Sequence, residues 1–140
     1  MTDVSLDQLR SRGAGTLVEL LGIEFLSADG QRVSSRLTVR PALLAPNGYL
    51  HAATIIALAD TSCGYGSMRT LPAGAQGFTT IELKTNFLGT VRTGGLACTA
   101  ALLHGGRTTQ VWDATVSDEA TGKTIALFRC TQLLLYPHGG

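Results

Sequence analysis

Apolar residues recur along this chain with two distinct periods. From about His51 to Met68, residues Ala52, Ile55, Ile56, Ala59 and Cys63 fall at i, i+3, i+4, i+7 and i+11, the spacing of one helical face. Ala57 and Leu58 widen that stripe until the segment is apolar nearly all round, which predicts a buried helix with its end near Gly64 and Gly66. Elsewhere the period shortens to two. Ile23–Ser27 and Gln31–Arg40 read as strands around an Asp29-Gly30 turn, with Val33, Ser35, Leu37 and Val39 sharing one face. Beyond a Leu71–Gly74 turn, strands are predicted at Gly77–Phe87, Gly94–Leu103, Arg107–Ser117 and Thr124–Leu135, separated by Gly89, Gly105-Gly106 and Gly122. Strands of this length exceed the usual five or six residues and predict one extended, curved antiparallel sheet. A hairpin, one long helix and four strands make an α+β fold with the helix wrapped in the sheet. Ahead of it, Leu6, Leu9, Leu17, Leu20 and Leu21 suggest short helical pieces interrupted by Gly13 and Gly15, opened by a Ser5 N-cap with Gln8 at N3. The chain thus divides into a helical segment, residues 1–21, and a single domain, residues 22–140.

Composition narrows the function classes. A formal charge of +1 gives no electrostatic case for nucleic acid or an acidic membrane surface. No stretch approaches the length of a membrane span. Met1–Leu20 carries Asp3, Asp7 and Glu19 and lacks the apolar core of a secretory signal. Cys63, Cys98 and Cys130 are odd in number and widely spaced, which argues against a disulfide framework or zinc site and for a reducing cytoplasm. Charged residues are only 15% of the chain, well below the average for soluble domains, so much of the surface is expected to meet another copy.

Two nucleotide-like motifs fail. Gly122-Lys123-Thr124 has Ser117 where a P-loop needs its first glycine, and it lies between strands. Gly105-Gly106-Arg107 lacks dinucleotide spacing. The residue that does not fit is Asp60, the only charged side chain between Arg40 and Arg69 with histidine counted as neutral, on a helix with no polar face. Burying an unpaired carboxylate is costly. Capping or a bond to Thr61, Ser62 or nearby backbone would explain it structurally; a general base or nucleophile would explain it chemically, because desolvation raises a carboxylate's pKa. His51 opens the same helix about 13.5 Å away along the axis, too far to bond Asp60 within one chain. It marks the helix start, where the N–H of Ala52 or Ala53 could hold a developing oxyanion, or it simply fixes the loop. Asn47-Gly48 reads equally as a turn or as a substrate amide donor. Arg107 and Thr108, after Gly106, read as a solvated turn or as a cationic edge for a phosphate or pantetheine arm.

With these residues assembled, the chain resembles the hotdog-fold acyl-CoA thioesterases, in particular the phenylacetate-degradation branch related to 4-hydroxybenzoyl-CoA thioesterases. The likeness rests on NGYLHAATIIALADTSCGYG (47–66), TTIELKTNFLGTVRTG (79–94), HGGRTTQVWDATVSDEATGK (104–123) and the closing strand. It implies a homodimer with sheets joined edge to edge, usually paired again into a tetramer, with the active site between subunits. By resemblance Asp60 is nucleophile or general base, and the Ala52 N–H at the His51 end of a partner helix polarises the thioester carbonyl. Thr80, the Asn86–Arg92 segment and Gly106–Thr108 match positions that contact substrate or CoA. No metal or separate cofactor is implied, since coenzyme A is part of the substrate. The chain departs from the family pattern in having His51-Ala52-Ala53 for His-Gly-Gly, and Ala45 where Asn or Gln stands six residues before the histidine. Other activities compatible with this fold are an enoyl-acyl hydratase or dehydratase, with His51 as proton carrier, and a non-catalytic acyl-CoA-binding protein.

Overall fold

A computed structural model describes residues 4–138; the first three residues of the expected N-terminal segment and the last two of the following domain lie outside it. The elements run α1 (Leu6–Arg12), α2 (Leu17–Leu21), β1 (Glu24–Asp29), β2 (Arg32–Thr38), a 3₁₀ turn (Pro41–Leu43), α3 (Ala52–Arg69), β3 (Gly77–Phe87), β4 (Gly95–Gly105), β5 (Thr109–Asp118) and β6 (Thr124–Leu135). The strands form one six-stranded sheet in the order β1-β2-β4-β5-β6-β3, antiparallel at every junction. This is the hotdog arrangement, with α3 packed across the sheet.

Local chemistry explains the element ends. Ser5 and Gln8 form a reciprocal capping box at the start of α1. Gly122 has φ +75°, the left-handed conformation that glycine adopts without steric cost, and its N–H closes the β5–β6 turn on the Asp118 carbonyl at 2.8 Å. In β2, Val33, Ser35 and Leu37 face inward, and Val39 is buried just beyond.

The helix departs from expectation in two ways. It runs through Gly64 and Gly66 to Arg69 instead of ending there, because both glycines sit where the helix lies closest to other groups. A Cβ on Gly66 would stand 2.3 Å from Trp112 Cη2, and one on Gly64 would stand 3.0 Å from Phe78 Cζ. Nor is the helix buried all round. Ile55, Leu58, Ala59, Ser62 and Cys63 face the sheet, while Ala52 is exposed and Ile56, Ala57, Asp60 and Thr61 are only half-buried. The buried stripe is therefore rotated toward Leu58 and Ser62, leaving a strip of helix that includes Asp60 only partly covered by its own sheet.

Polar contacts fix the helix against rotation. The Ser35 and Ser62 hydroxyls meet at 2.6 Å in the core between β2 and α3. Thr54 Oγ1 donates to the Leu43 carbonyl at 2.9 Å near the helix start. At the far end, Gln110 Nε2 donates to the Thr70 carbonyl at 3.0 Å, and its Oε1 accepts from the buried Trp112 indole at 2.9 Å.

Candidate active site

Asp60 stands near the middle of α3 with its side chain directed at β3, where its Oδ1 accepts the Thr80 hydroxyl at 3.0 Å. It forms no ion pair among the described residues. Burial holds its carboxyl above the ordinary range, and the Thr80 hydrogen bond partly offsets that. A carboxylate with one neutral donor and no cation keeps its basicity, which suits attack on an electrophile or deprotonation of water.

Thr80 borders a local irregularity of β3. A bulge between Thr80 and Glu82 shifts the register of β3 against β6, so that Thr80 pairs with the buried Gln132 and Leu83, itself exposed, pairs with the buried Cys130. The resemblance assigns Thr80 to substrate contact; in the structure its hydroxyl engages the Asp60 carboxylate. Gln132 was not apparent as a site residue. Its signal was present as a polar residue on the apolar phase of β6, between Cys130 and Leu134.

The helix N-terminus is a second centre. His51 is the N-cap, its Nδ1 accepting the Ala53 N–H at 2.9 Å. That bond takes the Ala53 amide out of play, while among the described residues the Ala52 N–H has no acceptor. Asn47 folds back on its own loop, its Oδ1 accepting the Tyr49 N–H at 3.2 Å, so within the protomer it acts as a turn residue. The β3–β4 loop lies alongside: Thr90 Oγ1 accepts the Leu50 N–H at 3.2 Å, and the Arg92 guanidinium stacks 4.5 Å over the Tyr49 ring, a cation–π contact.

The remaining candidates lie apart. Gly106, Arg107 and Thr108 form the β4–β5 turn, where the Gly106 N–H donates to the Thr109 carbonyl at 2.9 Å and Tyr136 hydroxyl donates to the Arg107 carbonyl. The contact of Gln110 with Thr70 puts this turn toward the C-terminal end of α3, whereas Ala52 and Arg92 belong to the N-terminal end. Asn86 faces outward, lining with Lys84, Asp113, Thr115, Leu127 and Arg129 an open groove of about 330 Å³ on the outer face of the sheet. One protomer therefore joins Asp60 to Thr80 and Ala52 to the Asn47 and Arg92 loops, and keeps these groups separate from each other and from Asn86 and Gly106–Thr108.

Comparison with known proteins agrees with this geometry. The sequence pattern of the thioesterase superfamily matches residues 47–125, spanning α3 through β5. The chain is 31% identical over 115 residues to 1,4-dihydroxy-2-naphthoyl-CoA hydrolase of Listeria monocytogenes, covering 82% of this chain and 92% of that one. It is 29% identical to the proofreading thioesterase EntH of Cronobacter turicensis, covering 83% and 84%. Its fold superimposes on a mutant thioesterase from Pseudomonas aeruginosa with a TM-score of 0.89 at 28% identity, over 95% of each chain. A match to the family pattern across the helix that carries Asp60 and Ala52, together with thioester-hydrolysing relatives aligned over most of their length, means that this chain belongs to the thioesterase superfamily.

Proposed function

We propose that the protein hydrolyses the thioester of a small aryl- or acyl-CoA to the free acid and CoA in the cytoplasm, with Asp60 as nucleophile or general base. The observation that carries this reading is the Asp60 carboxylate: half-buried, raised in pKa by burial, and hydrogen-bonded by Thr80 alone among the described side chains. On the nucleophilic route a carboxylate oxygen attacks the carbonyl carbon, the C–S bond breaks, CoA leaves as a thiolate that water protonates, and water then cleaves the mixed anhydride. On the general-base route Asp60 takes a proton from a water whose oxygen attacks the carbonyl carbon, the C–S bond breaks, and the proton passes to the departing CoA thiolate. On either route the unused Ala52 N–H binds the developing oxyanion.

These groups stand too far apart along one helix to act together, so the reading places Asp60 of one subunit opposite Ala52 of another. Two features support a homodimer, paired further as a tetramer. The eleven-residue β3 is an edge strand that exposes Ile81 (57%), Leu83 (40%) and Phe87 (45%), an apolar, unpaired edge of the kind that recruits another strand. The partly covered strip of α3 around Asp60 is also available to a second copy. In such a dimer Arg92, Asn86 and the Gly106–Thr108 turn are the candidates for the CoA arm.

The test is thiol release from a panel of phenylacetyl-, hydroxybenzoyl-, and short and medium aliphatic acyl-CoAs, comparing the wild type with Asp60→Asn. Loss of at least about a hundredfold in turnover with retained binding supports the assignment. CoA-ester binding without thiol release from either protein overturns it in favour of the binding or dehydratase readings.

A further inference from the structure

Gln132 is fully buried on β6, with its Oε1 2.8 Å from Thr80 Oγ1 and its Nε2 3.4 Å from Cys130 Sγ. Thr80 Oγ1 is at the same time 3.0 Å from Asp60 Oδ1. A hydroxyl carries a single hydrogen, so Thr80 cannot donate to both oxygens, and the direction of the chain depends on Asp60. When Asp60 is protonated, its O–H donates to Thr80 Oγ1 and Thr80 donates to Gln132 Oε1. When Asp60 is ionised, Thr80 donates to the carboxylate. Gln132 then completes the chain by turning its amide through half a revolution, so that Nε2–H donates to Thr80 Oγ1 and Oε1 faces the Cys130 thiol. A carboxamide, with donor and acceptor on one planar group, serves both states; an apolar side chain serves neither.

We infer that Gln132 is a positioning residue of the active site, whose amide turns with the protonation of Asp60 and holds the Thr80 hydroxyl on the ionised carboxylate. The inference rests on the reading of Asp60 as the reactive carboxylate. Among the described residues no titratable side chain hydrogen-bonds or ion-pairs with Asp60. Cys63 on its own helix is raised by contact with Cys130 of β6 and by burial, and burial pushes Cys98 of β4 to about 11. On β3 and β6, Glu82, Lys84 and Arg129 are exposed, Arg129 being paired with Asp113.

The test is a double-mutant cycle with Gln132→Met and Thr80→Val, read by acyl-CoA turnover against pH. Gln132→Met is expected to lower kcat about tenfold with KM within about twofold, and to move the acidic limb of the kcat profile upward. In the Thr80→Val background the same change is expected to have no further effect, because Gln132 acts through that hydroxyl. Equal losses in both backgrounds, or an unmoved acidic limb, overturn the inference. A measurement on the unmutated chain covers the case in which Gln132→Met does not fold. The Gln132 side-chain amide resonances are expected to shift with the same midpoint as the Asp60 carboxyl and to stay flat in Asp60→Asn; invariance in the wild type overturns the inference. Undiminished turnover by Asp60→Asn refutes the Asp60 reading instead, a result separate from the amide titration.

Discussion

The imidazole of His51 accepts the backbone N–H of Ala53 at 2.9 Å, which makes this histidine the N-cap of α3. An N-cap acceptor contributes about 0.5–2 kcal/mol, so His51→Ala is expected to lower stability by that amount in chemical denaturation. His51→Asn keeps a capping oxygen and is expected to restore most of it. If capping is the whole role, His51→Asn also keeps acyl-CoA turnover within about tenfold of the wild type. A loss as deep as that of Asp60→Asn in both His51 variants would instead make the imidazole a proton carrier, as the dehydratase reading requires.

Among the described residues that same bond leaves the Ala52 amide as the free donor at the helix start, and one substitution isolates it. Ala52 is the first residue of α3 after a residue with extended backbone, φ −67° and ψ 133° at His51. Proline is well tolerated at a first helical position, and an extended preceding residue is the conformation it requires. Ala52→Pro is therefore expected to fold with little change in melting temperature while deleting the N–H. Its turnover is expected to fall by about a hundredfold or more, the usual effect of removing an oxyanion donor. Steady-state kinetics beside a melting curve checks both halves.

Gly66 and Trp112 are packed so closely that a methyl group cannot be inserted between them. A Cβ there would lie 2.3 Å from Cη2 and 2.6 Å from Cζ3 of an indole that is itself fully buried. Intrinsic propensity favours alanine over glycine inside a helix by about 1 kcal/mol. Gly66→Ala is nevertheless expected to destabilise the protein by about 1–3 kcal/mol, because a rigid ring held by Gln110 cannot yield. Urea denaturation gives the sign; a stabilised variant would contradict the packing described.

The proposed role of Asp60 predicts a trade of stability for function. Its folded pKa is raised above the ordinary value of 3.8, chiefly by burial, so the native state binds this proton more tightly than the unfolded chain does. The stabilising contribution is complete below 3.8 and is lost as pH rises through the folded value. Asp60→Asn, neutral at every pH, is expected to melt at a higher temperature than the wild type at pH 8, with the gap closing near pH 4. Melting curves at the two pH values decide it.

Local patterns made much of the fold legible. Period-two alternation placed β3 at Gly77–Phe87 and β6 at Thr124–Leu135, as observed, and the apolar block placed the start of α3 to within a residue. The Ser5 and Gln8 cap was readable because both partners lie within one turn. Pairing of β3 with the C-terminal β6 instead of its sequence neighbour β4 was not, since register between distant strands is set by tertiary packing. At the site, Asp60 stood out as a charge without a polar face. Its partner Thr80 lies 20 positions away on a bulged strand, where it pairs with the buried Gln132 of distant β6. The glycines at 64 and 66 read as a helix end, yet α3 runs on to Arg69, because the reason for both glycines, close contact with the Trp112 and Phe78 rings, lies in other elements.

Complementation between two inactive subunits tests most directly whether the active site joins Asp60 of one chain to Ala52 of another. Differently tagged Asp60→Asn and Ala52→Pro chains would be co-expressed, and the mixed dimer purified through both tags and assayed for thiol release. In a symmetric dimer with shared sites, one site carries both lesions and the other carries neither, so activity is expected to return to about half that of the wild type. A mixed dimer as inactive as its two parents would contradict the shared site.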